Sequence, residues 1–158
     1  MAYVRACQLG DVTDATDPTD AGRTGSSTVT REGTSLAVVR PVRASPSTAM
    51  QSLRDTRRWA DWSPTIGAVE SDDRFVEEGT RGRVRVAGVW VSFTVTFVSG
   101  RRWEWQVAGV PATAHRVRGY ATESDRCRVG IELPLVAAGY VPVCRRALGR
   151  FARLVEDE

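Results

Sequence analysis

The sequence contains no lysine and no asparagine, so all 22 of its basic residues are arginine, and it has a single histidine, His115. The absence of lysine excludes Schiff-base chemistry and the phosphate-binding P-loop, whose site requires a lysine. One histidine cannot build a zinc site on two histidines or an HExxH helix, and no GxSxG motif is present to pair it with a serine nucleophile. These absences remove several large enzyme classes.

Cysteines and long apolar runs are also scarce. Cys7, Cys127 and Cys144 are an odd number without the paired spacing of a disulfide framework or a zinc site. A metal site from His115, Cys127 and Cys144 lacks a CxxC pair, so we expect no metal and no cofactor. No uncharged stretch is long enough to cross a bilayer, and residues 1–30 lack the apolar core of a signal peptide. We therefore expect a cytoplasmic, soluble protein without a membrane span.

The 158 residues, 42% apolar and 26% charged, suffice for one globular domain. Residues 10–35 contain only four apolar side chains among many Thr, Asp, Gly and Ser, too few to offset the entropy of ordering them. Asp11, Asp14, Asp17 and Asp20 form a DxT repeat whose spacing of three does not fit an EF-hand. The composition predicts a disordered acidic tail over residues 1–33 and a domain over residues 34–158.

Hydrophobic periodicity sets the order of elements in that domain. Ser45 and Pro46 are a cap and first-turn pair that begins a helix reaching about Arg58, and residues 59–62 add a short second turn. Period-3.6 patterning returns over residues 139–155. Period-2 alternation predicts strands over residues 35–44, 66–70, 80–86, 89–98, 101–108, 113–121 and 127–133. The prediction is an α+β fold: a curved antiparallel sheet of about seven strands on a long C-terminal helix, with one or two short helices after the first strand.

Strand parity assigns the side chains that face the helix. Trp90 falls on the outer face of its strand. The inward set includes Val89, Val91, Phe93, Val95, Phe97, Trp103, Trp105, His115 and Val117, and the apolar arc of the terminal helix includes Tyr140, Cys144, Leu148 and Phe151. Small residues such as Gly82, Gly119 and Gly149 interrupt these faces. They permit either tight packing or an internal cavity for a small apolar ligand.

Three strings carry a family resemblance: Trp59-Ala-Asp-Trp62-Ser-Pro, Gly79-Thr-Arg-Gly-Arg83 and Tyr140-Val-Pro-Val-Cys-Arg-Arg-Ala-Leu148. With the order of elements, they resemble the START-like (SRPBCC, Bet v 1-like) superfamily, in its polyketide cyclase/dehydrase and lipid-transport branch, over residues 34–158. The resemblance implies a helix-grip fold that encloses a hydrophobic cavity between the sheet and the terminal helix. It implies no particular reaction, because the superfamily mixes carriers, cyclases, hydrolases and binding proteins.

The leading functional hypothesis is therefore binding, as a carrier or sensor, of a small hydrophobic or amphipathic ligand such as a lipid, quinone or polyketide. The sequence favours a carrier or sensor over an enzyme and leaves catalysis open. The predicted ligand-binding residues are Phe93, Phe97, Trp103, Trp105, His115, Val117, Tyr140, Cys144 and Leu148.

Two alternatives stay open. In the first, a polyketide cyclase or aromatase-like enzyme uses His115 as general base, since its unperturbed pKa is the one nearest neutrality. Tyr140 is then a candidate donor, whereas parity places Arg81 and Arg83 on the outer face. In the second, an Arg-rich surface acts as an interaction module. No RNP-like aromatic pair or KH loop accompanies the charge, so we do not expect nucleic acid as the partner.

Overall fold

The computed structural model describes residues 25–158, in which one antiparallel sheet of eight strands is packed against three α-helices. The strands are β1 (Thr28–Glu32), β2 (Ser35–Val42), β3 (Ile66–Ser71), β4 (Arg81–Val86), β5 (Val89–Val98), β6 (Arg102–Val107), β7 (Val110–Gly119) and β8 (Cys127–Pro134). The helices are α1 (Pro46–Arg54), α2 (Trp59–Trp62) and α3 (Val141–Glu156), with 3₁₀ turns at Thr56–Arg58 and Leu135–Tyr140. The predicted α+β class, curved sheet and long C-terminal helix are confirmed.

The sheet order is β1-β2-β8-β7-β6-β5-β4-β3, with every neighbouring pair antiparallel. The strands from β3 to β8 are joined as consecutive hairpins, and β2 returns to pair with β8. After β2, helices α1 and α2 carry the chain to β3 at the far edge of the sheet. The hairpins from β3 to β8 then bring it back until β8 lies beside β2.

Strand β1 accounts for the difference between eight strands and the predicted seven. It lies inside the segment assigned to the tail, and it pairs with β2 from Thr28 opposite Val39 to Glu32 opposite Ser35. All five of its residues are exposed. Because none of them faces the core, the segment has no alternation of apolar and polar side chains that would predict a strand. The sheet therefore begins before the predicted boundary at Thr34. Residues 1–24, which contain the DxT repeat and Cys7, lie outside the described residues.

Helix α1 begins as predicted and ends earlier than predicted. The Ser45 side chain accepts a hydrogen bond from the Thr48 amide, and Pro46 occupies the first turn. The helix ends at Arg54 instead of Arg58, because Asp55 has an extended backbone conformation and pairs with Phe75 in a single antiparallel β-bridge. This stop turns the chain so that α2 lies beneath the sheet.

Helix α3 presents the apolar face that its periodicity predicts. Its buried residues are Cys144, Ala147, Leu148, Phe151, Ala152 and Val155. Arg145, Arg146 and Arg153 are exposed on the other side. No helix within residues 25–158 is both long enough and apolar enough to span a membrane.

Candidate functional site

A cavity of about 350 Å³ lies between the inner face of the sheet and the helices. Side chains from β4, β6, β7 and β8 form one wall. Helix α2, the segment that follows it, the second 3₁₀ turn and α3 form the other. The volume falls within the range of small-molecule sites in proteins, which is about 300–1,000 Å³.

Aromatic rings form much of the cavity wall. Trp59, Trp62, Trp103 and Trp105 line it together with His115. Trp59 stacks on Trp103, with ring centroids 5.4 Å apart and planes 4° apart, and Trp103 stacks in turn on His115 at 4.2 Å and 16°. The edge of Trp62 meets His115 at 5.8 Å and 71°. The wall is thus a continuous set of flat faces.

Three nitrogen atoms of this wall have no hydrogen-bond partner within residues 25–158: His115 Nδ1, Trp62 Nε1 and Trp103 Nε1. All three are buried. The other two indoles of the wall differ, since Trp59 Nε1 donates to the Leu53 carbonyl at 2.9 Å and Trp105 Nε1 donates to Thr113 Oγ1 at 3.4 Å. Buried polar groups normally form hydrogen bonds, so three unpaired ring nitrogens in one cluster of contacting side chains need an explanation.

His115 is neutral at physiological pH. Its side chain is 3% exposed, and burial lowers its pKa to about 3, helped by the positive charge of Arg102. Arg102 itself is held on the sheet by ion pairs with Glu104 and Glu132. A neutral imidazole carries one donor and one acceptor, so His115 can hydrogen-bond to a polar group of either kind.

The two described cysteines behave as small apolar groups. Cys127 and Cys144 are buried, and burial raises the pKa of each thiol to about 11. Both therefore stay protonated near neutral pH, and Cys144 lines the cavity as a thiol. Within residues 25–158 no group of three His, Cys, Asp or Glu side chains is placed to hold a metal ion.

Five of the nine residues predicted to bind ligand line the cavity: Trp103, Trp105, His115, Tyr140 and Cys144. Tyr140 closes one side, where its hydroxyl lies 3.0 Å from Thr65 Oγ1. Phe93, Val117 and Leu148 are buried but lie outside the lining. Phe93 fills the space beside Gly82, and Val117 lies near the end of β7 that α1 covers.

The placement of Phe97 on the inner face is wrong. A register shift between Val95 and Phe97 in the β5–β6 pairing interrupts the alternation. Phe97 is consequently 41% exposed, and Val98 packs against the core instead. Parity alone fails after such a bulge, because each extra residue moves the following side chains to the other face.

Parity reasoning also missed the contribution of α2. Trp59 and Trp62 are three residues apart, so they share one side of a helical turn, and both line the cavity. Their spacing, followed by Ser-Pro, was a detectable signal. Ile66, Val84, Ala137 and Val143 also belong to the apolar lining, and no sequence pattern singled them out.

Comparisons with known proteins support the fold. No family model matches the chain, and no curated protein matches its sequence. Among solved structures, the Zhui aromatase/cyclase from Streptomyces sp. R1128 is similar, with a TM-score of 0.57 and 14% identity over 77% of this chain and 93% of that one. The Aha1 dimer from Colwellia psychrerythraea gives a TM-score of 0.58 at 14% identity, covering 77% of this chain and 96% of the other. A hypothetical protein from Helicobacter pylori gives 0.59 at 16% identity, covering 77% and 86%. At these identities the likeness extends to the helix-grip fold alone.

Proposed function

We propose that the cavity binds a small, flat, mainly apolar molecule that carries a hydrogen-bond acceptor such as a carbonyl, and that the protein acts as its carrier or sensor. The observation that carries the proposal is the cluster of His115, Trp62 and Trp103, whose three buried ring nitrogens have no partner among the described residues. The aromatic wall suits a ring system, because stacked and edge-on contacts with planar groups are favourable.

The unpaired nitrogens favour a ligand with an acceptor over a pure hydrocarbon. An indole N–H can only donate, so the two tryptophans can be satisfied only by an acceptor. Leaving a buried donor unpaired costs about 1–3 kcal/mol, and a ligand that supplies an oxygen removes that cost. The affinity of such a ligand should therefore exceed that of its hydrocarbon analogue.

The pKa of His115 weighs against the cyclase alternative. Removal of a proton beside a ketone requires a base whose pKa is near the working pH, and a histidine with a pKa of about 3 is a weak base at pH 7. The likeness to an aromatase/cyclase keeps a polyketide among the candidate ligands without assigning a reaction.

Ion pairs weigh against a general Arg-rich interface on the outer face of the sheet. Arg83 pairs with Glu70, Arg102 with Glu132 and Arg116 with Glu32. These carboxylates neutralise three of the arginines there, which weakens the attraction of that face for a polyanion.

Two measurements test the proposal. Native mass spectrometry of the protein purified from its own cells should show a bound molecule of this class. Calorimetric titration with tetralin and with 1-tetralone, which differ by one carbonyl, then tests the polar contact directly. His115→Phe should weaken binding of 1-tetralone roughly 5- to 100-fold and leave tetralin almost unchanged.

Trp90→Phe is the matched control, since Trp90 lies on the outer face of β5 against Arg83. It should alter neither affinity. Equal affinity of the wild-type protein for the two compounds, or loss of both in a well-folded His115→Phe protein, would contradict the proposed polar contact.

A further inference from the structure

One end of the sheet has few charged residues; Arg31 and Glu32 lie there, beside the β1–β2 turn. Four other segments meet at this end: residues 63–69, 86–91, 107–114 and 133–144, none of which contains Asp, Glu or Arg. Each contributes side chains to the cavity lining, including Ile66, Val86, Val107, Pro111, Ala137 and Tyr140. The charge-poor end of the sheet is therefore the end at which the cavity wall reaches the surface loops.

The opposite end of the sheet has the reverse composition. Antiparallel hairpins place alternate turns at opposite ends, so the β3–β4, β5–β6 and β7–β8 connections lie away from the cavity loops. Those connections contain Asp72, Asp73, Arg74, Glu77, Glu78, Arg101, Glu123, Asp125 and Arg126. The chain as a whole is 26% charged, so the difference between the two ends reflects where the charged residues are placed.

Large apolar side chains project from the charge-poor end. Val136 is 96% exposed, Val110 62% and Tyr140 38%. Val89, which strand parity placed on the inner face, is 63% exposed at the first position of β5. We call these four residues the apolar rim. They stand on two hairpin turns and on the 3₁₀ turn before α3, on the same segments that line the cavity. Single exposed valines are ordinary, but a set grouped around one opening marks an interaction site.

Basic residues follow directly on the rim. Arg145 and Arg146 are exposed in the first half of α3, a few residues after Tyr140, and neither forms an ion pair with any part of the chain that the structure describes. Apolar side chains that enter the acyl boundary beside arginines that reach headgroup phosphates are the combination by which proteins bind an anionic membrane surface.

We propose that the apolar rim, with Arg145 and Arg146, docks the protein onto the surface of an anionic lipid bilayer, so that the cavity opens toward the hydrocarbon. An apolar ligand then passes between membrane and cavity without crossing water. A protein partner fits the rim less well, because protein interfaces place aromatic anchors at a packed centre and the centre here is an opening. Docking goes beyond the proposed ligand binding and can be measured without any ligand.

Co-sedimentation tests the docking, with vesicles of phosphatidylcholine alone and of phosphatidylcholine mixed equally with phosphatidylglycerol. The wild-type protein should bind the mixed vesicles more strongly, and added salt should weaken that binding. The double variant Val110→Asp/Val136→Asp should lose at least roughly tenfold in partitioning, since it replaces two inserted side chains with charges. Arg145→Gln/Arg146→Gln should remove the preference for the anionic lipid.

The matched controls change residues of the same types, apolar and arginine, at positions away from the apolar rim. Phe97→Asp changes an exposed apolar residue near the charged end, and Arg150→Gln/Arg153→Gln changes two arginines on the second half of α3. Both should bind vesicles as the wild-type protein does. Absence of vesicle binding, or equal binding by the rim variant and the Phe97 variant, would overturn the proposal. A concentration-dependent dimer that the rim variant disrupts would assign the rim to a second copy of this chain instead.

Discussion

His115 shows how one side chain can couple stability to pH. It is the sole histidine in the sequence, and in the fold its pKa is about 3 because it is buried. Above pH 6.5 the imidazole is neutral both in the folded and in the unfolded chain, so it has no effect on stability there. Below pH 6.5 the imidazole of the unfolded chain binds a proton and that of the folded protein does not, so the free energy of unfolding falls.

We therefore expect the wild-type protein to lose about 2 kcal/mol more than His115→Phe between about pH 7.5 and about pH 5. Urea titrations at several pH values, followed by circular dichroism, measure this difference. Carboxylates titrate in both proteins, so they cancel in the comparison. Parallel stability curves for the two proteins would show that His115 is accessible to protons in the fold.

Two glycines differ in what surrounds them. A Cβ on Gly82 would meet the backbone carbonyl of Glu70 and would lie 2.7 Å from the Phe93 ring, whereas a Cβ on Gly149 would meet nothing within 4 Å. Gly82→Ala should destabilise the protein by about 1–3 kcal/mol, because β3 and Phe93 must move. Gly149→Ala should stabilise it by about 0.5–1 kcal/mol through helix propensity. Opposite shifts of the urea midpoint would confirm both environments, and a stable Gly82→Ala protein would contradict the close approach.

At the scale of elements, α3 depends on the residues that face the sheet. Phe151 is fully buried and meets the edge of Trp62 at 5.8 Å, whereas the neighbouring Arg150 is half-buried and does not belong to the core. Phe151→Ala should cost about 3–5 kcal/mol, and Arg150→Ala should stay within about 0.5 kcal/mol of the wild-type protein. Thermal and urea unfolding of the two variants measure the difference, and similar costs would mean that the helix is rotated from its described orientation.

Element-level features followed from the sequence where periodicity was strong. The apolar arc of α3 and the inward placement of Trp103 and Trp105 were predicted from local patterns. Other features depend on contacts between distant parts of the chain. Strand β1 is exposed throughout and is defined by its pairing, and the bulge that exposes Phe97 is set by the neighbouring strand. The candidate site was predictable on the strands, but the contribution of α2 depends on how Asp55 turns the chain.

For the whole molecule, the position of β1 changes the expected effect of truncation. Glu32 forms a two-bonded ion pair with Arg116, whose side chain is only 10% exposed. Deletion of residues 1–24 should leave the unfolding midpoint nearly unchanged, as their composition suggests. Deletion through residue 33 should cost about 1–3 kcal/mol, because it removes a strand and the main partner of a buried charge. Equal midpoints for the two truncated proteins would show that β1 adds nothing to the fold.

The stacked wall of the cavity also gives the molecule an optical property. Four of its five tryptophans line the cavity, and the fifth, Trp90, lies outside on the sheet. A Trp90→Phe protein would emit indole fluorescence from the cavity alone. The near-parallel rings of Trp59 and Trp103, 5.4 Å apart, are close enough for their excited states to couple, so the near-ultraviolet circular dichroism should change sharply when a ligand parts or tilts them. The protein thus contains its own reporter of occupancy, and a library of compounds can be screened against it without a label.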